Sequence, residues 1–280
     1  MTALGKILVI RFSSIGDIVL TTSFITTLRK TFPNFEIHYL TLDKFSSILE
    51  FHPEIDRVIE LNSNSNLKDL LEFNKFIKSS NYNRIFDLHG SIRSRLITKG
   101  IGQSISRVKK PRFLRFILFQ FHINMFPSNF SAMHMYHNCL EENESIEFPK
   151  TFLSVSDLEQ KNEISFLKKN NVEGRFIAIV PGAAWPQKQW GVAKYSKVIT
   201  KIISRSNKSV VLLGTEKDKI NNEIEKINNQ VVNLTGKTNL RQAMSVLSLS
   251  DTVLGSDTGL VHIAEALGKS VNMILGPTTK

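Results

Sequence analysis

The 280-residue sequence has a single cysteine, Cys139, so no intramolecular disulfide or paired-cysteine zinc site is available to it. That fits a reducing compartment, and a cytoplasmic protein is expected. No run approaches the roughly 20 apolar residues that span a bilayer, and the N-terminal "MTALGKILVIRFSS" has no cleavage-site character and reads as a first buried strand. There is no HExxH, no phosphate-binding GxxxxGK[ST] loop and no Asp-x-Asp pair for a divalent cation. No metal is therefore expected. Glycine is sparse where a dinucleotide fingerprint would need three: the loop after the first strand has only Gly16, which removes most support for an NAD-linked reading.

Positive charge is abundant. Lys and Arg number 36 against 25 Asp and Glu, a net charge of +11, so an anionic partner is implied: a phosphorylated substrate, a membrane surface or nucleic acid. No basic-aromatic nucleic-acid module is present, which argues against the last.

β-Branched runs alternate with helical patterns along the whole chain, which predicts an α/β protein with parallel sheets. Strands are expected at "KILVIRF", "EIHYLTL", "RVIEL" and "NRIFDL", then at "RFIAIV", "SVVLLG", "VVNLTG", "DTVLGS" and "VNMILG". The alternation is interrupted near Pro149 and restarts with a helix around Asp157, giving two α/β domains, 1–150 and 151–280. Residues 107–126, "RVKKPRFLRFILFQFHINMF", set basic side chains among phenylalanines. Two readings stay open: a helix on an anionic membrane surface, or one with its Phe face in the core.

Ligands of open parallel sheets bind beyond the carboxyl ends of the strands, so the strand-end loops supply the candidates. In "RFSSIGDIVLTT" these are Ser14, Gly16 and Asp17; Asp17 reads either as a crevice carboxylate or as a first-turn charge favouring the helix dipole. In "FDLHGSIRS" and just beyond, Arg93 and Arg95 suit carboxylates or phosphates, whereas Asp87 and Ser91 also suit amide capping. In "PGAAWPQKQW", Lys188 is placed for a diphosphate, while Trp190 reads better as a staple at a helix start and Trp185 falls in the same loop. Glu216 of "LLGTEKD" is placed for ribose hydroxyls or as a helix-start charge.

The last strand-helix unit holds "DTGLVHIAEALG". At about 100° per residue, Leu260, Ile263, Ala264 and Leu267 share one side and His262 lies about 200° away, turned from the core. Thr258, Gly259 and His262 would converge on an anion at the helix start. Asp257 suits ordering the loop or meeting sugar hydroxyls.

Taken in order, "RFSSIGDIVLTT", "FDLHGSIRS", "PGAAWPQKQW" and "GSDTGLVHIAEALGKSVNMILGPT" resemble glycosyltransferase family nine, the ADP-heptose:lipopolysaccharide heptosyltransferases. The resemblance implies a GT-B architecture of two Rossmann-like domains facing a central cleft. The first would bind an anionic lipid-linked saccharide acceptor through Ser14, Gly16, Asp87, Arg93 and Arg95; the second would bind the donor ADP-heptose through Lys188, Glu216, Asp257, Thr258, Gly259 and His262. It implies Asp17 as general base of an inverting, metal-independent transfer to the lipopolysaccharide inner core, at the cytoplasmic face of the inner membrane. It also implies that a chain ending at "LGPTTK" stops short of the full donor domain. The same residues would serve a GT-B transferase with another nucleotide sugar, or a non-catalytic binder of nucleotide sugar or glycolipid.

Overall fold

A computed structural model describes residues 4–102, 104–127, 130–140, 147–183 and 186–276, without the side chains of Arg115, Phe119 and Pro186. Trp185 therefore lies outside the described residues. The chain divides into two compact units, Met1–Lys150 and Thr151–Lys280.

The first unit runs β1 (Gly5–Ile10), α1 (Ile15–Thr31), β2 (Phe35–Leu42), α2 (Asp43–Ser46), β3 (Arg57–Leu61), α3 (Leu67–Ser79), β4 (Arg84–Asp87), α4 (Ile92–Ile97), β5 (Ser104–Arg107), α5 (Arg112–Phe121) and α6 (Ala132–His137). The second runs α7 (Asp157–Lys169), β6 (Phe176–Val180), α8 (Val192–Arg205), β7 (Ser209–Leu212), α9 (Lys219–Ile227), β8 (Val232–Asn233), α10 (Leu240–Leu249), β9 (Thr252–Ser256), α11 (Gly259–Ala266) and β10 (Ser270–Ile274).

The two sheets have the orders β3-β2-β1-β4-β5 and β10-β9-β6-β7-β8, and every pairing is parallel. Numbered from each unit's own first strand, both read 3-2-1-4-5. The reason is visible in the sequence: a central parallel strand is covered on both faces, so it must be apolar throughout. Ile7, Leu8, Val9 and Ile10 of β1 are all fully buried. Each of the nine strands expected from the sequence is present. β5 was not expected, because "SISR" is a short polar edge strand without an apolar run; it is held by its pairing with β4.

Helix starts follow local chemistry. Asn66 caps α3 and Ser156 caps α7, each with an acidic residue at the third helical position bonding back. Trp190 packs edge-on against Tyr195 with ring centroids 5.2 Å apart, the staple expected before α8. In the second unit Arg241 of α10 forks onto Glu159 of α7 with bonds of 2.7 and 2.6 Å. One turn further along α7, Glu163 is buried and its Oε1 has no partner. Burial pushes its carboxyl up to about 7.

Among the described residues no helix is long and apolar enough to cross a membrane. Of the two readings of residues 107–126, the one that puts the Phe face in the core does not hold for the described side chains. Phe113, Phe116 and Phe121 of α5 are exposed.

Candidate active site

In each sheet, strands 1 and 4 are neighbours whose following helices leave in different directions, so the loops after them part and leave a crevice. In the first unit these loops follow β1 and β4.

Arg11, just past β1, is 6% exposed and laces the two loops together. Its Nε donates to the Ser13 carbonyl at 2.7 Å and its Nη1 to the Leu88 carbonyl at 2.8 Å. Its Nη2 stands 2.6 Å from Asp17 Oδ2. Ser14 caps α1 and donates to the same Oδ2 from Oγ at 2.8 Å and from its amide at 3.2 Å. The Tyr136 hydroxyl of α6 donates to Oδ1 at 2.8 Å.

Burial alone would raise the Asp17 pKa, but the Arg11 charge and the bonds from Tyr136 and Ser14 outweigh it, and the carboxyl is held below its ordinary value. The side chain remains 32% exposed. The result is an anchored, ionised carboxylate at the crevice mouth. Oδ2 takes three donors, whereas Oδ1 takes only Tyr136 and keeps a lone pair for a ligand. Ser14 is spent on Asp17, so it positions that residue instead of offering a free hydroxyl; Gly16 lies in the first turn of α1 between them.

The loop after β4 departs from expectation. Asp87 is fully buried. Its Oδ1 accepts from the His89 and Gly90 amides at 3.1 and 2.8 Å, its Oδ2 accepts from Ser94 Oγ at 2.8 Å, and Arg107 Nε lies 3.3 Å away. Asp87 is thus a turn organiser with no oxygen to offer an acceptor, because Gly90 must hold a positive φ of 58° and the carboxylate ties that turn.

Arg93 and Arg95 are separated by their two-residue spacing on α4. Arg93 reaches the Ser63 carbonyl at 3.5 Å, whereas Arg95 lines an open cleft of about 480 Å³ with Gly90, Arg107, Val108, Lys109, Lys110 and Arg112. Burial and the Arg11 charge lower the Lys110 pKa. His89, packed on Phe12 with centroids 4.9 Å apart, is pushed down to about 4 by burial and by Arg11 and Lys110. It is therefore neutral at physiological pH.

In the second unit the crevice lies beyond β6 and β9. Lys188 ends a 3-10 turn, Pro186–Lys188, and its Nζ donates to Asp257 Oδ2 at 2.6 Å. His262 Nε2 lies 3.2 Å from Asp257 Oδ1. The bond from His262 and the pairing with Lys188 drive the Asp257 carboxyl far below the usual carboxylate range, against its partial burial. Gly276 permits this assembly: a Cβ there would come 2.9 Å from the Lys188 Cα.

Thr258 is the N-cap of α11, yet its side chain makes no capping bond. Its buried Oγ1 has no partner, and neither has the buried Nδ1 of His262. Two orphaned polar atoms, a lysine and the first amides of α11, beginning at Gly259, share one place. Such atoms are costly unless a ligand satisfies them. His262 does stand off the core, its side chain 21% exposed. The 100° spacing does not predict the other positions: Val261 and Ala266 are buried and Leu260 and Leu267 are not fully so, because α11 packs against α10 as well as β9 and β10. Glu216 is exposed in the turn before α9. That turn is tied instead by Asp218, which accepts from the amide and hydroxyl of Thr215.

Three partners escaped the sequence reading. Arg11 carried a faint signal, a charge closing an apolar strand. Tyr136, which is 119 positions from Asp17, carried none, and His89 was hidden in its motif. Among the described residues, no three His, Cys, Asp or Glu side chains gather as a metal-ion site.

Two parallel sheets of Rossmann-like order, one in each unit, are the GT-B architecture. The sequence model of glycosyltransferase family 9 (heptosyltransferase) matches residues 70–280, and the chain belongs to that family. It is 26% identical over 291 aligned positions, 98% of this chain and 84% of the relative, to a lipooligosaccharide heptosyltransferase 2 of Haemophilus influenzae. Among solved structures it is similar to a family 9 glycosyl transferase of Veillonella parvula, with a TM-score of 0.81 at 19% identity, covering 97% of this chain and 80% of that one. It is also similar to the Escherichia coli heptosyltransferase WaaC with ADP, with a TM-score of 0.70 at 17% identity, covering 98% and 88%.

Proposed function

We propose that this glycosyltransferase moves heptose from ADP-heptose to the inner core of a lipid-linked lipopolysaccharide precursor, with inversion at the anomeric carbon and with no protein-bound metal. The observation that carries the donor half is the pair of unsatisfied buried atoms, Thr258 Oγ1 and His262 Nδ1, beside Lys188. A diphosphate supplies the acceptor that the Thr258 hydroxyl lacks, and it suits the first amides of α11 and the charge of Lys188. Relatives named as heptosyltransferases and a similar fold solved with ADP support this donor.

In the transfer, the acceptor hydroxyl gives its proton to Asp17 Oδ1 as its oxygen attacks the anomeric carbon. The bond from that carbon to the donor phosphate breaks, and its electron pair stays on the ADP oxygen. Lys188 and the amides of α11 meet the charge that develops there. A carboxylate held below its usual pKa is a weak base but is always ionised at working pH, and it takes the proton late, as the attacking oxygen becomes acidic. The acceptor's acidic groups suit the side of the cleft lined by Arg95 and Arg107. A cytoplasmic site at the inner membrane follows from a lipid-linked acceptor.

The test is turnover by the full chain offered ADP-heptose beside a panel of UDP and GDP sugars, with Asp17→Ala in parallel. Transfer from ADP-heptose that Asp17→Ala abolishes, with ADP binding kept, is the expected result. Turnover with only UDP or GDP sugars would replace the donor assignment, and undiminished turnover by Asp17→Ala would remove the base.

A further inference from the structure

We infer that α5 and the chain leaving it form a docking surface for an anionic lipid bilayer, the Phe113–Phe116–Phe121 face entering the headgroup boundary while the neighbouring cations meet lipid phosphates. The inference rests on the surface of the first unit and stands whichever sugar is transferred.

Exposure is concentrated there. Phe113 is 70% exposed, Phe116 58% and Phe121 59%, and Ile123 and Met125 just beyond are each 55% exposed. At about 100° per residue the three phenylalanines lie within one arc of roughly 140° on α5, with the half-buried Ile117 between Phe113 and Phe121, while the half-buried Leu118 lies nearly opposite Phe116. Phe116 and Phe121 touch edge to face, centroids 6.3 Å apart, so they form a continuous patch. His122 takes a left-handed conformation with φ 55° and redirects the chain. Contiguous exposed aromatics of this kind mark an interaction surface.

Charge says what covers it. Between residues 88 and 140 the sequence has eight Lys or Arg and no Asp or Glu. Lys109, Lys110 and Arg112 cluster before and at the start of α5, where cations oppose the helix dipole. That start has no side-chain cap and no acidic residue in its first turn. Stability of the isolated chain does not explain cations at an uncapped helix start; phosphate headgroups would satisfy both the amides and the cations. An apolar helix face flanked by a basic one is what lies flat in an anionic interface, whereas a protein partner would have to bring its own dense negative charge.

The experiment is co-sedimentation of the full chain with vesicles of phosphatidylethanolamine and phosphatidylglycerol, against phosphatidylcholine alone, for the wild type and for Phe113→Ser with Phe116→Ser. Binding to the anionic vesicles only, weakened by about tenfold or more in the double variant, is the expected result. A Phe116→Trp variant should add a blue-shifted emission on anionic vesicles. Unchanged thermal unfolding and ADP binding would show that the double variant is folded. Failure of the wild type to bind, or equal binding by the double variant, would overturn the inference. So would a concentration-dependent dimer that the double variant dissolves, which would make the occupant a second copy. None of these readouts involves sugar transfer, so a failure here is distinct from a failure of the proposed reaction.

Discussion

The two units share a strand order and each places an aspartate at its switch point, yet they use it in opposite ways. In the first, Asp17 is surrounded by donors, Arg11, Ser14 and Tyr136, and one oxygen keeps room for a proton. In the second, Asp257 has both oxygens taken by Lys188 and His262, and what remains unspent around it includes the Thr258 hydroxyl and the first amides of α11. In the proposed reaction the same topology thus serves as a base in one unit and an anion seat in the other. The difference lies in which partners the neighbouring elements supply.

The sharpest way to break this contrast is Asp17→Asn. The substitution should lower kcat by about 10²–10⁴-fold, the range for a lost general base, while ADP affinity measured by calorimetry stays unchanged. In the wild type the acid limb of the rate should fall below the ordinary carboxylate range, because the folded pKa of Asp17 is lowered and activity is lost as pH drops through it. A parallel loss of ADP binding would erase the division between the units.

Lys188→Ala should do the reverse, weakening ADP about 10- to 100-fold through loss of a charged hydrogen bond of roughly 1.5–3 kcal/mol. Titration of the variant with ADP checks it, and unchanged affinity would show that Lys188 serves Asp257 alone.

Glu163 separates structure from function within the second unit. Its pKa is raised to about 7 in the folded chain, so the folded state holds a proton that the unfolded state releases from about pH 4.5. Stability should therefore decline as pH rises from about 4.5 to 7 and level off above. Glu163→Gln should remove that decline and add on the order of 2 kcal/mol at pH 8, read as a higher Tm, with ADP affinity unmoved.

The smallest effect should come from Thr258→Val. Removing an unpartnered buried hydroxyl should leave Tm equal or slightly raised, while ADP binds about 3- to 10-fold more weakly, for a bond of roughly 0.5–1.5 kcal/mol. A drop in Tm with unchanged ADP affinity would mean that the hydroxyl serves the helix rather than a ligand.

Much of this was legible in the residues. Apolar runs bounded by Gly, Pro and Asp marked nine strands, and their ends marked Asp17, Lys188 and the Asp257–His262 loop. β5 was not legible, because a polar edge strand is defined by its neighbour rather than by its own pattern. For Asp87 and Arg93 the sequence leaves ligand contact and local roles both open, because a strand-end position reveals which loop a side chain belongs to but not which way it turns. Asp87 turned inward to cap amides; Arg93 turned to the Ser63 carbonyl.

The sequence by itself determined the alternation of strand and helix, the basic balance and the helix starts, since each depends on neighbours within a few positions: apolar period, capping residue, turn glycine. Only the tertiary structure decided that Tyr136 of α6 and Arg11 meet on Asp17, that Lys188 closes on Asp257, and that Thr258 and His262 keep atoms unsatisfied. The Tyr136–Asp17 and Lys188–Asp257 contacts join residues 119 and 69 positions apart, and sheet order and packing, not local propensity, bring them within bonding distance.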